Sequence, residues 1–289
     1  SRTHKDHRAC QAWQATKLDD PYAFWTWSYD SATAAVSLVS TAATGSTYLT
    51  VSSCTILISV SAAYDGSTGT TLATMVADVK TAVSGITTIS GSGWALIQSI
   101  NSYLCGSSIV YDSDKKADTY HSSVYGVFAY KVDDKHYAVC EGYACAFKLL
   151  CDQYGADAKV VFGNANLSSL TDGSELHAWN LAVIDGKVYG VDTTWNSTNS
   201  SKSAYLGVGT ATAVDGVTFA QSHSPWSPYY ENADDIYSFQ LPAVSASAYS
   251  TDNGNGGTDL SAYLPWVAII LIAAILCGVL YSVGRKGQR

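Results

Sequence analysis

The chain has 289 residues, 47% of them hydrophobic and only 14% charged. That composition can fill a packed core and excludes global disorder. The formal net charge is −8, and no basic stripe with interleaved aromatics occurs, so nucleic acid is not the expected partner.

The first residue is Ser1 rather than Met and no leader pattern follows, so an upstream start is expected. Residues 19–30 (DDPYAFWTWSYD) gather aromatics behind a proline turn. Val36, Leu38, Tyr48, Leu49 and Val51 favour strand, and Thr55 to Val60 is a further β-branched run, closed by a turn at Asp65-Gly66. Apolar residues at 72, 75, 76, 79 and 83 then predict a helix over Thr70 to Val83. Trp94, Ile97, Ile100, Tyr103 and Leu104 predict a second. The reading is a mixed strand and helix region over 1–92, followed by the domain carrying the chemistry over 93–243.

The seven cysteines form no CxxC pair, and the histidines do not complete a zinc spacing, so neither a metal nor an organic cofactor is expected. Outside a cell, Cys10, Cys54, Cys105, Cys145 and Cys151 would be available for disulfides. Cys140 is different. From it onward Ala144, Phe147, Leu150, Cys151 and Tyr154 share one helical face, and Gly155 is a natural C-terminal cap. A helix therefore starts at or near Cys140. The first turn offers unpaired N–H groups and the positive end of the dipole, where thiols ionise more readily. The plainer alternative is a small packing thiol.

Residues 175–195 (ELHAWNLAVIDGKVYGVDTTW) place Asp185-Gly186, a strong hairpin turn, between two apolar runs. Pairing Ile184 with Lys187 and continuing the ladder sets Trp179 opposite Asp192. His177, on the same face as Trp179, becomes a diagonal neighbour of Asp192, with Cβ atoms roughly 7–8 Å apart. A carboxylate there fixes the imidazole tautomer and stabilises its protonated form. The plainer alternative is a surface histidine beside a turn-flanking acid. A thiol at a helix start with a His–Asp pair on adjacent strands has the parts for nucleophilic acyl transfer. Spacing does not show that the helix and the hairpin meet.

Residues 244–263, with Asp252-Asn253-Gly254-Asn255-Gly256-Gly257, read as a flexible tether. Trp266 to Val283 carries no charge and is long enough for a membrane span, with Trp266 and Tyr281 near its ends. A transmembrane helix is expected over 264–284. Arg285, Lys286 and Arg289 form a basic tail over 285–289, which puts the tail in the cytoplasm and all that precedes the span outside.

The blocks AVCEGYACAF, ELHAWN and KVYGVDTTWN resemble, in order and spacing, the Cys, His and Asp blocks of the bacterial transglutaminase-like superfamily, which shares its core with papain-like thiol proteases. The likeness extends over about residues 19–240. It implies an α+β fold with the nucleophile helix packed on an antiparallel sheet. It makes Cys140 the nucleophile, His177 the base and Asp192 the orienting acid. An oxyanion donor upstream of the nucleophile is also implied; the Cys140 N–H is one candidate, and His121 and Tyr125 are side-chain candidates. Cys145 and Lys187-Val188-Tyr189 depart from the family pattern without removing a catalytic group. The implied protein is a single-pass, membrane-anchored enzyme of the cell surface. It would act on peptide or protein amides of the envelope, with hydrolysis slightly favoured over crosslinking. The alternative is a catalytically silent binding or adhesion module, which aromatics such as Trp226, Tyr229 and Tyr230 would suit.

Overall fold

A computed structural model describes residues 19–27, 29–43, 46–168, 175–225 and 241–251. Pro21–Trp27 forms a 3-10 stretch and buries Phe24. β1 (Tyr29–Ala43) and β2 (Ser46–Val60) make a long antiparallel hairpin. The strand-favouring runs noted in the sequence fall within it.

The helices follow the apolar spacing. In α1 (Leu72–Ser84), Thr71 caps the first turn by accepting the Thr74 N–H. Its buried residues Met75, Val79 and Val83 lie one turn apart. In α2 (Gly93–Leu104) Leu96, Ile97, Ile100 and Leu104 are buried. Phe24, Met75, Ile97 and Phe147 belong to one hydrophobic cluster, so the core runs across residue 92 without a break.

Next come β3 (Ile109–Tyr111), α3 (Val124–Phe128) and β4 (His136–Ala138), with β3 and β4 pairing in parallel. The central helix α4 (Cys140–Tyr154) is buried along nearly its whole length. Gly155 ends it at φ 82°, a left-handed turn that a side chain resists.

The remaining strands are β5 (Ala158–Ala165), β6 (Glu175–Ile184), β7 (Lys187–Val191), β8 (Leu206–Val208), β9 (Ala213–Val214), β10 (Val217–Thr218) and β11 (His223–Pro225). Two short helices lie among them, α5 (Thr193–Thr198) and α6 (Phe219–Ser222). The main sheet is antiparallel, in the order β11-β5-β6-β7-β8. Ala178, Ala182 and Ile184 on one face join the cluster of α4. Val161, Trp179 and Leu181, on the other face, pack with Tyr205 and Phe219. Gly190 is required there, because a Cβ would stand 2.5 Å from the Phe219 ring.

Residues 244–249, expected as the start of a tether, are instead laid along the sheet. Ser245 donates its N–H to Val188 and Tyr249 to Gly207, both at 2.8 Å. The Tyr249 hydroxyl donates to Asp185 at the hairpin tip, 2.6 Å away, and its ring stacks on Trp94 at 4.7 Å. Backbone groups left open along β7 and β8 thereby find partners. Among the described residues no helix is long and apolar enough to cross a membrane. The expected span at 264–284, the basic tail and Trp226, Tyr229 and Tyr230 lie outside the described residues.

Cys105, Cys145 and Cys151, whose pairing the sequence leaves open, are free thiols. Cys145 and Cys151 sit inside α4, buried in the main cluster, where they pack as small apolar groups.

Candidate active site

Cys140 is the first residue of α4, and the preceding Val139 is extended. Two contacts fix this start. The Val139 N–H donates to the carbonyl of His121 at 3.0 Å. Gly142 lies so close to that carbonyl that a Cβ would stand 2.4 Å from its oxygen. The Cys-Glu-Gly sequence thus has a physical reason: the second residue after the thiol must lack a side chain.

His121 is itself held. Its Nδ1 is 2.8 Å from Asp112 Oδ2, and Asp112 also accepts the N–H groups of Lys116 (2.7 Å) and Ala117 (2.9 Å). Burial would raise the Asp112 pKa, but these bonds outweigh it and the net shift is downward. Tyr125, the other side-chain candidate for an oxyanion donor, packs among Phe24, Tyr120 and Tyr130. It is committed to that aromatic cluster. Tyr111, which the sequence did not single out, faces the site. Burial first, then the charges of Cys140, Glu175 and Asp192, raise its pKa.

The hairpin turn is as expected, with Ile184 opposite Lys187 and the ladder running back to Asn180 opposite Val191. The ladder stops one pair before Trp179 and Asp192. Asp192 leaves the strand, donates its N–H to Tyr205 at 2.9 Å and caps α5. Its Oδ1 accepts the Trp195 N–H at 2.9 Å, an N-cap bond. Its Oδ2 lies 2.7 Å from His177 Nε2.

The Asp192 carboxylate has no solvent exposure. Burial would raise its pKa, but the charge and hydrogen bond of His177, and then those of His223, hold it well below the usual carboxylate range. Burial would lower the pKa of His177. The charge and hydrogen bond of Asp192, followed by interaction with the Cys140 side chain, overcome this and push it up to about 10. His177 also stacks on Trp195, with ring centroids 5.2 Å apart.

The structure therefore sets His177 on the buried Asp192, with the Cys140 side chain close enough to interact with the same imidazole. Such a set can deliver a thiolate to an electrophilic carbon, keep a proton on the imidazole and balance the resulting cation with a buried carboxylate.

A residue that the sequence reading missed completes the surroundings. His223 Nε2 lies 3.1 Å from the same Asp192 Oδ2. The donor atoms of His177, Asp192 and His223 fall within 4.8 Å of one another, a spacing that a cation could in principle exploit. Here both Nε2 atoms are committed to one carboxylate oxygen by hydrogen bonds.

A thiol at a helix start, facing an imidazole and a buried carboxylate on an antiparallel sheet, is the arrangement of cysteine-based acyl transfer. The model of the Transglutaminase-like superfamily matches residues 80–195, a stretch that holds Cys140, His177 and Asp192 and ends before His223. The match covers under half of the chain, so its central stretch is similar to that superfamily, and the likeness supports a cysteine hydrolase or acyltransferase. Two solved structures are similar at low identity. One is a TGase, 16% identical, with a TM-score of 0.33 over 56% of this chain and 44% of that one. The other is a candidate cysteine protease from Cytophaga hutchinsonii, 11% identical, with a TM-score of 0.28 over 57% of this chain and 65% of that one. The chain thus spans less than two thirds of either. No curated protein matches it.

Proposed function

We propose that this protein is a cysteine acyl-transfer enzyme acting on peptide or protein amides, with Cys140 as nucleophile, His177 as acid and base, and Asp192 as the orienting acid. The observation that carries the reading is the placement of His177, hydrogen-bonded to the buried Asp192 at 2.7 Å and interacting with the Cys140 thiol. Cys140 Sγ attacks the amide carbonyl carbon. The C–N bond breaks, the His177 proton passes to the leaving amine, and a thioester remains on Cys140. Water, giving a proton to His177, then releases the acid and restores the thiol. A primary amine in place of water leaves a new amide. Hydrolysis is the slightly favoured outcome.

The proposal extends to place. The uncharged run from Trp266 to Val283 and the basic residues after it favour a single membrane anchor with the catalytic domain outside the cell. The substrates would then be peptides or proteins of the cell envelope.

The test offers the protein a fluorescent primary amine together with cell-envelope protein. Amine incorporation abolished by Cys140→Ala supports crosslinking, and release of peptide or ammonia without incorporation supports hydrolysis. Absence of both from a folded protein overturns the enzyme reading in favour of a binding module.

A further inference from the structure

We propose that His223 is a positioning residue of this site, a neutral imidazole whose Nε2–H sets the orientation of the Asp192 carboxylate before His177 meets it. The proposal rests on the Cys140–His177–Asp192 reading above and adds a fourth residue to it.

The placement of His223 comes from the sheet. On the edge strand β11, His223 pairs with Ala165 of β5 and Pro225 pairs with Gly163. Gly163 in turn pairs with His177 of β6. His223 and His177 are therefore diagonal across β5, and the β5 residues paired with them, Ala165 and Gly163, carry no more than a methyl group. Their ring centroids are 6.1 Å apart. The His223 ring is stacked on Phe219 at 4.1 Å and lies 4.5 Å from Trp195 and 5.0 Å from Trp179. Packed so closely, it has no freedom to turn away.

The chemistry of its two nitrogens follows. An ionised carboxylate only accepts, so Nε2, 3.1 Å from Asp192 Oδ2, must carry a hydrogen. Nδ1 lies 2.8 Å from the Ser222 hydroxyl, which is also 3.3 Å from the Phe219 carbonyl. Burial, with the charge of His177, lowers the His223 pKa more than Asp192 and the Phe219 carbonyl raise it. With the pKa lowered, the ring at pH 7 is neutral and its hydrogen is on Nε2.

This arrangement fixes the carboxylate at both ends. Trp195 N–H holds Oδ1 at 2.9 Å, and His223 N–H holds Oδ2. The terminal torsion of an aspartate is soft, and one bond alone leaves its plane free to turn. Two donors define the plane independently of His177, so the catalytic imidazole meets an acceptor already in position. The other titratable groups within reach of Asp192 are His177 on β6, Cys140 on α4, Tyr111 on β3, Cys105 at the end of α2 and Tyr205 before β8. Among those named, His177 and His223 are the two whose hydrogen bonds lower the Asp192 pKa.

The experiment has two parts. Long-range 15N–1H spectra of the 15N-histidine-labelled protein at pH 7 should show His223 neutral and protonated at Nε2. An Nδ1–H tautomer or an imidazolium would overturn the proposal without any variant. The second part follows alkylation of Cys140 by iodoacetamide from pH 5 to 9, in wild type, His223→Phe and His223→Gln. Phe keeps the ring stack but cannot donate. Gln carries an amide N–H the same number of bonds from Cβ. His223→Phe should react about tenfold or more slowly at pH 6 with a displaced pH profile, and His223→Gln should stay within about threefold of wild type. A His223→Phe profile that superimposes on wild type sinks the proposal. If His223→Phe does not fold, the tautomer and the His223→Gln profile decide. Wild-type Cys140 that is no more reactive at pH 6 than an ordinary thiol would count against the underlying three-residue reading instead.

Discussion

Asn180 donates from Nδ2 to the carbonyl of Ala144 at 2.9 Å, and this bond ties the middle strand of the sheet to the helix that begins at Cys140. The same nitrogen is 3.3 Å from the Lys159 carbonyl on β5. Asn180 is fully buried, so its amide has no water as a substitute for these carbonyls. Asn180→Ala should cost about 1–3 kcal/mol of stability, read from urea denaturation. It should also slow alkylation of Cys140, because the helix start is no longer keyed to His177. Unchanged stability would show that the apolar contacts alone align the two elements.

Gly142 is a second alignment device. Gly142→Ala drives a methyl into the His121 carbonyl, a backbone atom that cannot rotate aside. The expected cost is about 1–3 kcal/mol, as for other overpacked sites. Loss of Cys140 reactivity should accompany it, because the displaced segment is the first turn of α4. Thermal denaturation and thiol labelling check the two effects separately, and a variant as stable as wild type would contradict the close approach.

The His177–Asp192 pair makes stability depend on pH, with a definite sign. His177 has its pKa raised from 6.5 to about 10, so the stability it contributes is full below about 6.5. That contribution is lost as pH rises through about 10. Asp192 is shifted downward from 3.8, so its contribution is present above 3.8 and is lost as pH falls through its depressed value. The two describe one interaction and are not additive. Urea denaturation should find wild type losing stability steadily between pH 7 and 10, and Asp192→Asn should flatten that slope. A wild-type curve that is flat over this range would contradict the shift.

The thiols of α4 should behave oppositely to Cys140. Burial pushes the Cys145 thiol up to about 12 and raises that of Cys151 as well. Both are buried in the native fold. Iodoacetamide at pH 7.5, followed by peptide mapping, should modify Cys140 within minutes and leave Cys145 and Cys151 untouched until urea opens the protein. Equal labelling of all three in the native state would mean that α4 is not the buried helix described here.

What could be read from the sequence was local. The helical face from Ala144 to Tyr154 and the glycine that ends it gave α4 its bounds, because period and cap both act within one element. Asp185-Gly186 gave the hairpin its register, because a two-residue turn fixes the pairing of its strands. The end of that ladder was not readable. Whether Asp192 continues the strand or caps α5 depends on Tyr205, thirteen residues further on, which takes its N–H. His223 was illegible for a similar reason. It enters the site through pairing of β11 with β5, across nearly sixty residues of chain, and no local pattern marks such a pairing. Its position beyond residue 195 also sets it outside the stretch that carries the family match.

The clasp between Tyr249 and Asp185 lies away from the reacting groups. Asp185 is at the tip of the hairpin, and His177 lies near the other end of β6, roughly 26 Å away at about 3.3 Å per residue. The last described residues therefore lie at the end of the sheet remote from His177. Tyr249 thus holds to Asp185, Trp94 and Gly207, and to none of the three reacting residues.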